Sequence, residues 1–300
     1  MKEKKNRAVI ALMYDFDKTL CTKDMQEYTF IPSLEESASS FWQETGETAK
    51  KEKMDPILTY MYLMIRKSQD RHLPIRRNVF VDAGRDIRLF PGVDTWFERV
   101  NAFAAEKKVN LEHYIISSGL KEIIEGCPIS KEFKEIYACE FHYDENGVAD
   151  WPRIAVNYTN KTQFLFRINK GILDVSNDRD LNAYIPEDER RIPFRNMIYI
   201  GDGMTDVPCM KLVRTNGGKS IAVYANHDRN TVNTLLMDMR VDYIARADYR
   251  PGSELEEMIR CIITKDAAES VLSSEHTRQM KAVKTESRQE KVSKSSQKGS

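Results

Sequence analysis

Residues Asp15-Phe16-Asp17-Lys18-Thr19-Leu20 constrain this chain more than any other stretch. They follow the apolar run Ala8-Val9-Ile10-Ala11-Leu12-Met13-Tyr14, which no glycine, proline or charge interrupts. Such a run predicts a strand buried on both faces, as in a parallel sheet. The two aspartates then stand at the strand's C-terminal end, the edge at which open α/β sheets bind ligands. Carboxylates at i and i+2 just past a strand can aim at one small volume, where they repel each other unless a cation or a proton lies between them. A plain solvated turn would read the same way, so the rest of the chain has to separate the two.

After Leu20 the pattern changes. Residues 21–90 hold no clear buried strand; Phe41-Trp42 and Met54 to Ile65 carry bulky apolar residues at helical spacing. Asp55-Pro56 reads as an N-cap with proline at the first helical position, and Ile57, Leu58, Met61, Met64 and Ile65 would share one face. The segment reads as a helical insertion between the first two strands. Phe90-Pro91-Gly92 is a turn, after which Asp94 could cap a helix running to about Lys107. His113 to Ile116 reads as a second strand ending in Ser117-Ser118-Gly119, with a helix from about Leu120. Hydroxyls and N–H groups at such a junction suit an anion. Ile136 to Phe141 is a third strand, Asp144 to Gly147 a turn into a hairpin through Trp151-Pro152, and Asn160-Lys161-Thr162 opens a helix. Residues 173–195 are polar and read as a long loop or short helix.

Met197-Ile198-Tyr199-Ile200 is a fourth strand, ending in Gly201-Asp202-Gly203-Met204-Thr205-Asp206. Again carboxylates follow a strand, now among glycines that let the backbone turn tightly. Two more short strands, at 220–224 and 242–244, and a last helix from Glu254 to Ile263 complete the fold. From Glu275 to Ser300 there are seven Lys/Arg against three Glu and few apolar residues, so 271–300 reads as a flexible polar tail.

Strands alternating with helices predict an α/β fold, a Rossmann-like parallel sheet flanked by helices with a small α-helical cap after the first strand. The expected division is a core of 1–20 and 91–270, a cap of 21–90, and the tail. Three strand ends then carry Asp15/Asp17, Ser117/Ser118 and Asp202/Asp206, and a helix start carries Lys161. Carboxylates without His or Cys suit Mg²⁺ shared with a substrate phosphate. Lys and Arg number 46, as do Asp and Glu, so no net charge marks nucleic acid as an expected partner. The five cysteines form no Cys-x-x-Cys pair, which predicts neither zinc nor disulfides and a reducing, cytoplasmic setting. No stretch reaches membrane-spanning length, and the N-terminus lacks a signal-peptide pattern.

This constellation resembles the haloacid dehalogenase-like hydrolase superfamily over roughly residues 8–265. The family's Asp-x-Asp-x-Thr is met by Asp15 to Thr19, its Ser/Thr after the next strand by Ser117, its lysine near a helix start by Lys161, and its Gly-Asp-x-x-x-Asp by Gly201 to Asp206. Lys170, nine residues on, is an alternative lysine. The order Pro-Gly-Val, helix, Ile-Ile-Ser-Ser-Gly resembles the phosphoserine phosphatase-like branch, where a Gly-Gly pair commonly follows the serine; here Ser118 replaces the first glycine. The resemblance implies a Mg²⁺-dependent phosphatase acting on a small phosphorylated metabolite through an aspartyl phosphate. In it Asp15 would be nucleophile, Asp17 general acid and base, and Thr19, Ser117, Ser118 and Lys161 phosphate contacts. Asp15, Asp17 (through its carbonyl) and Asp202 would hold the metal, with Asp206 in support. Gln26, Glu27, Tyr28 and Arg66 are candidate cap contacts. A phosphotransferase or mutase would keep the same residues, and a non-catalytic binder of a phosphorylated ligand is the reading from another class. Oligomeric state is not legible.

Overall fold

The computed structural model describes residues 7–225 and 229–296; the first six residues and the last four, which carry the ends of the expected N-terminus and tail, lie outside it. Among the described residues one seven-stranded sheet organises the chain. Its strands are β1 (Val9–Tyr14), β2 (Asn110–Leu120), β3 (Phe133–Tyr143), β4 (Ala149–Ile154), β5 (Met197–Gly201), β6 (Lys219–Tyr224) and β7 (Tyr243–Arg246). The spatial order is β4-β3-β2-β1-β5-β6-β7. All neighbours pair in parallel except β4, which returns antiparallel along β3. Pro152 is tolerated there because an edge strand leaves one side of its backbone unpaired. The hairpin turn is held by Asp144 Oδ1, which accepts from the N–H groups of Asn146 and Val148 at 2.8 and 2.9 Å.

The helices are α1 (Phe30–Ser33), α2 (Ala38–Glu52), α3 (Pro56–Asp70), α4 (Arg77–Ala83), α5 (Val93–Glu106), α6 (Lys121–Gly126), α7 (Lys161–Lys170), α8 (Asp178–Asn182), α9 (Val207–Thr215), α10 (Asn230–Met237) and α11 (Glu254–Ser296). β1 is buried from Ile10 to Tyr14, as an uninterrupted apolar run in a central strand requires. It lies between β2 and β5, where the sheet order reverses, and this is the crevice that ligands use in such sheets.

α1 to α4 all fall between Leu20 and Phe90. Asp55 caps α3 as expected, its Oδ1 accepting from Ile57 and Leu58 N–H. The buried face of α3 is Tyr60, Met61, Leu63 and Met64; Leu58, expected on that face, is exposed because it lies well over a quarter-turn from the centre of the stripe. Asp94 does not cap α5. Gly92 takes the N-cap position at φ +84°, where a Cβ would come within 2.5 Å of the Tyr249–Arg250 backbone, and Asp94 sits in the first turn. The largest departure is α11. It runs past the expected end at Ile263 through the residues read as a polar tail, because those residues are good helix formers even without an apolar stripe.

Candidate functional site

The site grows from the end of β1. Asp15 N–H donates to Ile200 O at 2.9 Å, so the ends of β1 and β5 are tied together at Asp15. Beyond it the chain folds into a tight turn, Leu20 N–H reaching back to Phe16 O at 2.9 Å. Lys18 takes a left-handed φ of +55° in this turn, and its ammonium pairs with Asp24 at 2.6 Å.

Lys161, at the first position of α7, reaches into the same place. Its Nζ donates to Asp15 Oδ1 at 2.9 Å and to Asp206 Oδ1 at 2.7 Å, and all three residues are buried. Lys170 points elsewhere: its Nζ binds the carbonyls of Leu181 and Ala183 beside α8. Asp202 completes the cluster. Asp15, Asp202 and Asp206 each offer a carboxylate oxygen, and these atoms lie within 4.8 Å of one another.

Three carboxyls this close need positive charge, and Lys161 supplies one unit. Burial raises the Asp15 carboxyl to about 7, with Lys161 pulling it down and Asp206 pushing it up. Burial, Asp15 and Asp206 hold the Asp202 carboxyl well above the usual range. Burial works against the Lys161 charge, but Asp15 and Asp206 outweigh it and hold that ammonium firmly protonated. An all-oxygen acidic cradle with an unmet demand for positive charge fits a hard divalent cation such as Mg²⁺.

Asp17 is held separately. Its Oδ1 accepts from Met25 N–H at 2.8 Å, and burial, then Asp24 and Asp15, raise its carboxyl well above the usual range. Met25 also receives the Leu120 N–H on its sulfur at 3.0 Å. A Cβ at Gly119 would stand 2.1 Å from Met25 Cε and 2.9 Å from Asp17 Oδ2, so a larger residue there would push these two side-chain ends aside.

The parallel register, with Tyr14 opposite Ile115, carries Ser117 to the same edge. Its hydroxyl is buried and accepts from Gly119 N–H at 3.0 Å. The hydroxyls of Thr19 and Ser118 are buried with no protein partner. Donors so placed are costly unless something else meets them. From the insertion, Tyr60 donates to Ser118 O at 2.8 Å. Of the candidate contacts there, Gln26 is buried with its Oε1 unpartnered, Glu27 accepts from Trp42 Nε1, Tyr28 bonds Thr22 and the Arg88 carbonyl, and Arg66 is exposed.

Sequence reasoning missed Tyr199, whose hydroxyl donates to Asp206 Oδ1 at 2.8 Å. A signal existed, since a tyrosine in a fully buried strand needs a partner for its hydroxyl. It also missed Met25 and Tyr60, for which no local pattern points to the site.

A profile of the haloacid dehalogenase-like hydrolases matches residues 12–211, two-thirds of the chain. The chain belongs to this family. It is also 30% identical over 292 residues to an uncharacterized protein of Borreliella burgdorferi, an alignment covering 86% of this chain and 97% of the relative. Among solved structures it is similar to a HAD family hydrolase from Salmonella enterica serovar Typhi, at a TM-score of 0.51 and 18% identity, covering 80% of this chain and 68% of that one. A phospho-aspartyl intermediate analogue of phosphoserine phosphatase matches at 0.51 and 11% identity, covering 85% and 99%. A probable phosphoserine phosphatase from Vibrio cholerae matches at 0.52 and 10%, covering 87% and 67%. At these identities the likeness is one of fold alone.

Proposed function

We propose that this hydrolase is a Mg²⁺-dependent phosphatase of a small phosphorylated metabolite, working through an aspartyl phosphate on Asp15. The observation that carries the proposal is the buried Asp15–Lys161–Asp206 cluster at the end of β1, with Asp202 beside it. Phosphoserine phosphatases among the similar folds support the phosphomonoester class.

In this reading an Asp15 oxygen attacks phosphorus as the bond to the leaving alkoxide breaks, leaving the phosphoryl group on Asp15. Asp17 gives its proton to the alkoxide and then takes one from the attacking water. Its raised carboxyl suits an acid that must hold a proton near neutrality, and the Met25 N–H fixes its direction. Thr19, Ser117 and Ser118 offer hydroxyls and Lys161 its ammonium to the phosphoryl oxygens. Mg²⁺, held by Asp15, Asp202 and the Asp17 carbonyl with Asp206 in support, would neutralise the carboxylates and the phosphate. Residues 21–90 act as the cap that excludes water and selects the leaving group, Gln26 being its buried polar contact. Five unpaired cysteines support a reducing, cytoplasmic setting.

The test is phosphate release from a panel of small phosphomonoesters, with Mg²⁺ and with chelator, for wild type and Asp15→Asn. Metal-dependent release that Asp15→Asn abolishes is expected. Release that survives either the chelator or the substitution rejects the mechanism.

A further inference from the structure

We propose that Tyr199 is a positioning residue for this reaction: through Asp206 it sets where Lys161 stands beside Asp15. The inference rests on the phosphatase reading of the site. Tyr199 lies on β5 and is fully buried. Its hydroxyl donates to Asp206 Oδ1 at 2.8 Å, and the same oxygen accepts from Lys161 Nζ at 2.7 Å. Lys161 in turn donates to Asp15 Oδ1 at 2.9 Å. The chain from Tyr199 through Asp206 and Lys161 to Asp15 is continuous and buried.

The two donors meet on one oxygen of Asp206. Its other oxygen, Oδ2, meets the Gly203 N–H at 3.4 Å, longer than an ordinary bond. Asp206 also stands with Asp15 and Asp202 in a cluster whose oxygens lie within 4.8 Å of one another. A carboxylate repelled by two others turns away unless it is held. Tyr199 is the hold that comes from the sheet rather than from the site. Its strand is fixed against β1, with Tyr199 opposite Met13 and Asp15 N–H bonded to Ile200 O.

The consequence falls on Lys161, which is shared between two carboxylates. If Asp206 rotated away, the ammonium, already bonded to Asp15 Oδ1, would lose its second carboxylate and with it the contact that fixes its position beside Asp15. Phenylalanine would fill the same space in the core equally well, so the hydroxyl is explained by Asp206 and not by packing.

The experiment compares wild type, Tyr199→Phe, Asp206→Ala, the double variant and the control Tyr114→Phe, which loses a buried-strand hydroxyl bonded to Glu112 instead. Two quantities are read: kcat and KM for p-nitrophenyl phosphate, and the half-saturating Mg²⁺ for the rise in melting temperature without substrate. Losing a hydrogen-bond partner of a metal-holding group costs about 10- to 100-fold. Tyr199→Phe is therefore expected to lower kcat by about that factor with KM changed less than about threefold, and to raise half-saturating Mg²⁺ about tenfold. Tyr114→Phe should move neither. In the Asp206→Ala background, which leaves Tyr199 no side-chain acceptor at 206, Tyr199→Phe should cost less than about twofold more. Wild-type kcat and Mg²⁺ midpoint in Tyr199→Phe overturn the proposal. So does a loss that multiplies with that of Asp206→Ala, or a wild-type melting temperature that Mg²⁺ does not raise. A wild type that binds Mg²⁺ but releases no phosphate rejects the phosphatase reading alone, and the shift of the Mg²⁺ midpoint in Tyr199→Phe still decides the role of Tyr199.

Discussion

Tyr14 stands one residue before Asp15, and its hydroxyl is fixed from both sides. Trp96 Nε1 donates to it at 3.0 Å, and it lies 3.1 Å from His113 Nδ1. An indole N–H only donates, so the phenol proton goes to His113 Nδ1, which has to accept it. His113 then carries its own proton on Nε2, 3.1 Å from Asn101 Oδ1. This network assigns a neutral ring, and burial drives its pKa from 6.5 down to about 3. The sign of the stability effect follows. A histidine whose folded pKa is depressed takes up its proton in the unfolded chain first, so the stability is full above about 6.5 and is lost as pH falls toward 3. Between pH 7 and pH 5 this one group should remove about 2 kcal/mol. Urea unfolding of wild type and His113→Gln at both pH values checks it. The pH-dependent loss should shrink by about that amount in the variant, and an unchanged pH dependence would mean that the ring is charged in the folded protein.

At the scale of elements, what the sequence made legible were the local signals. The unbroken apolar run placed β1, the glycines around Asp202 marked the turn after β5, and Asp55-Pro56 marked the start of α3. Each of these depends on chemistry within a few residues. What was not legible depended on contacts across the fold. Asp94 looked as good a cap as any, but α5 starts at Gly92 because the Tyr249–Arg250 backbone passes too close for a side chain. Lys161 and Lys170 sit on one helix, and only the packing of α7 decides that Lys161 faces Asp15 while Lys170 holds the α8 loop. Asp55 shows both kinds of contact in one residue. Its Oδ1 caps α3, while its Oδ2 accepts from Asn157 Nδ2 at 3.0 Å, tying the insertion to the segment just before α7. Asp55→Ala should therefore lower stability by about 1–2 kcal/mol, the usual effect of losing a cap, plus whatever the second bond contributes. Asn157→Ala also removes the bonds that Asn157 Oδ1 accepts from Thr159 and Asn160, so the shared bond is read from the cycle: the double variant should cost less than the sum of the single ones. Strict additivity in thermal or urea unfolding would show that the tie between the elements carries no energy.

At the scale of the whole molecule, α11, the last described element, outruns its own packing. Along α11 the buried side chains are Leu255, Glu256, Ile259, Ile262, Ile263, Asp266 and Ala267, a stripe at three- and four-residue steps that lies against the rest of the fold. Glu256 anchors its first turn, accepting from Gly252 N–H at 2.6 Å and from Arg99 at 3.0 Å. After Ala267 the stripe stops: Val271, Leu272, Met280 and Val283 are exposed. The distal helix is supported by residue propensity and by short-range pairs such as Arg278 with Glu275 at 2.6 Å. Pairs of that kind contribute only about 0.2–0.5 kcal/mol each, and an isolated helix in water is marginal. Cutting the chain after Ser270 should therefore leave the melting temperature within about 2 °C of wild type, while the helical circular dichroism falls. Cutting before Glu254 removes the stripe and should prevent folding. If the cut after Ser270 instead lowered the melting temperature by more than about 5 °C, the distal helix would have to be docked, and its exposed Val271 and Leu272 would be where it docks.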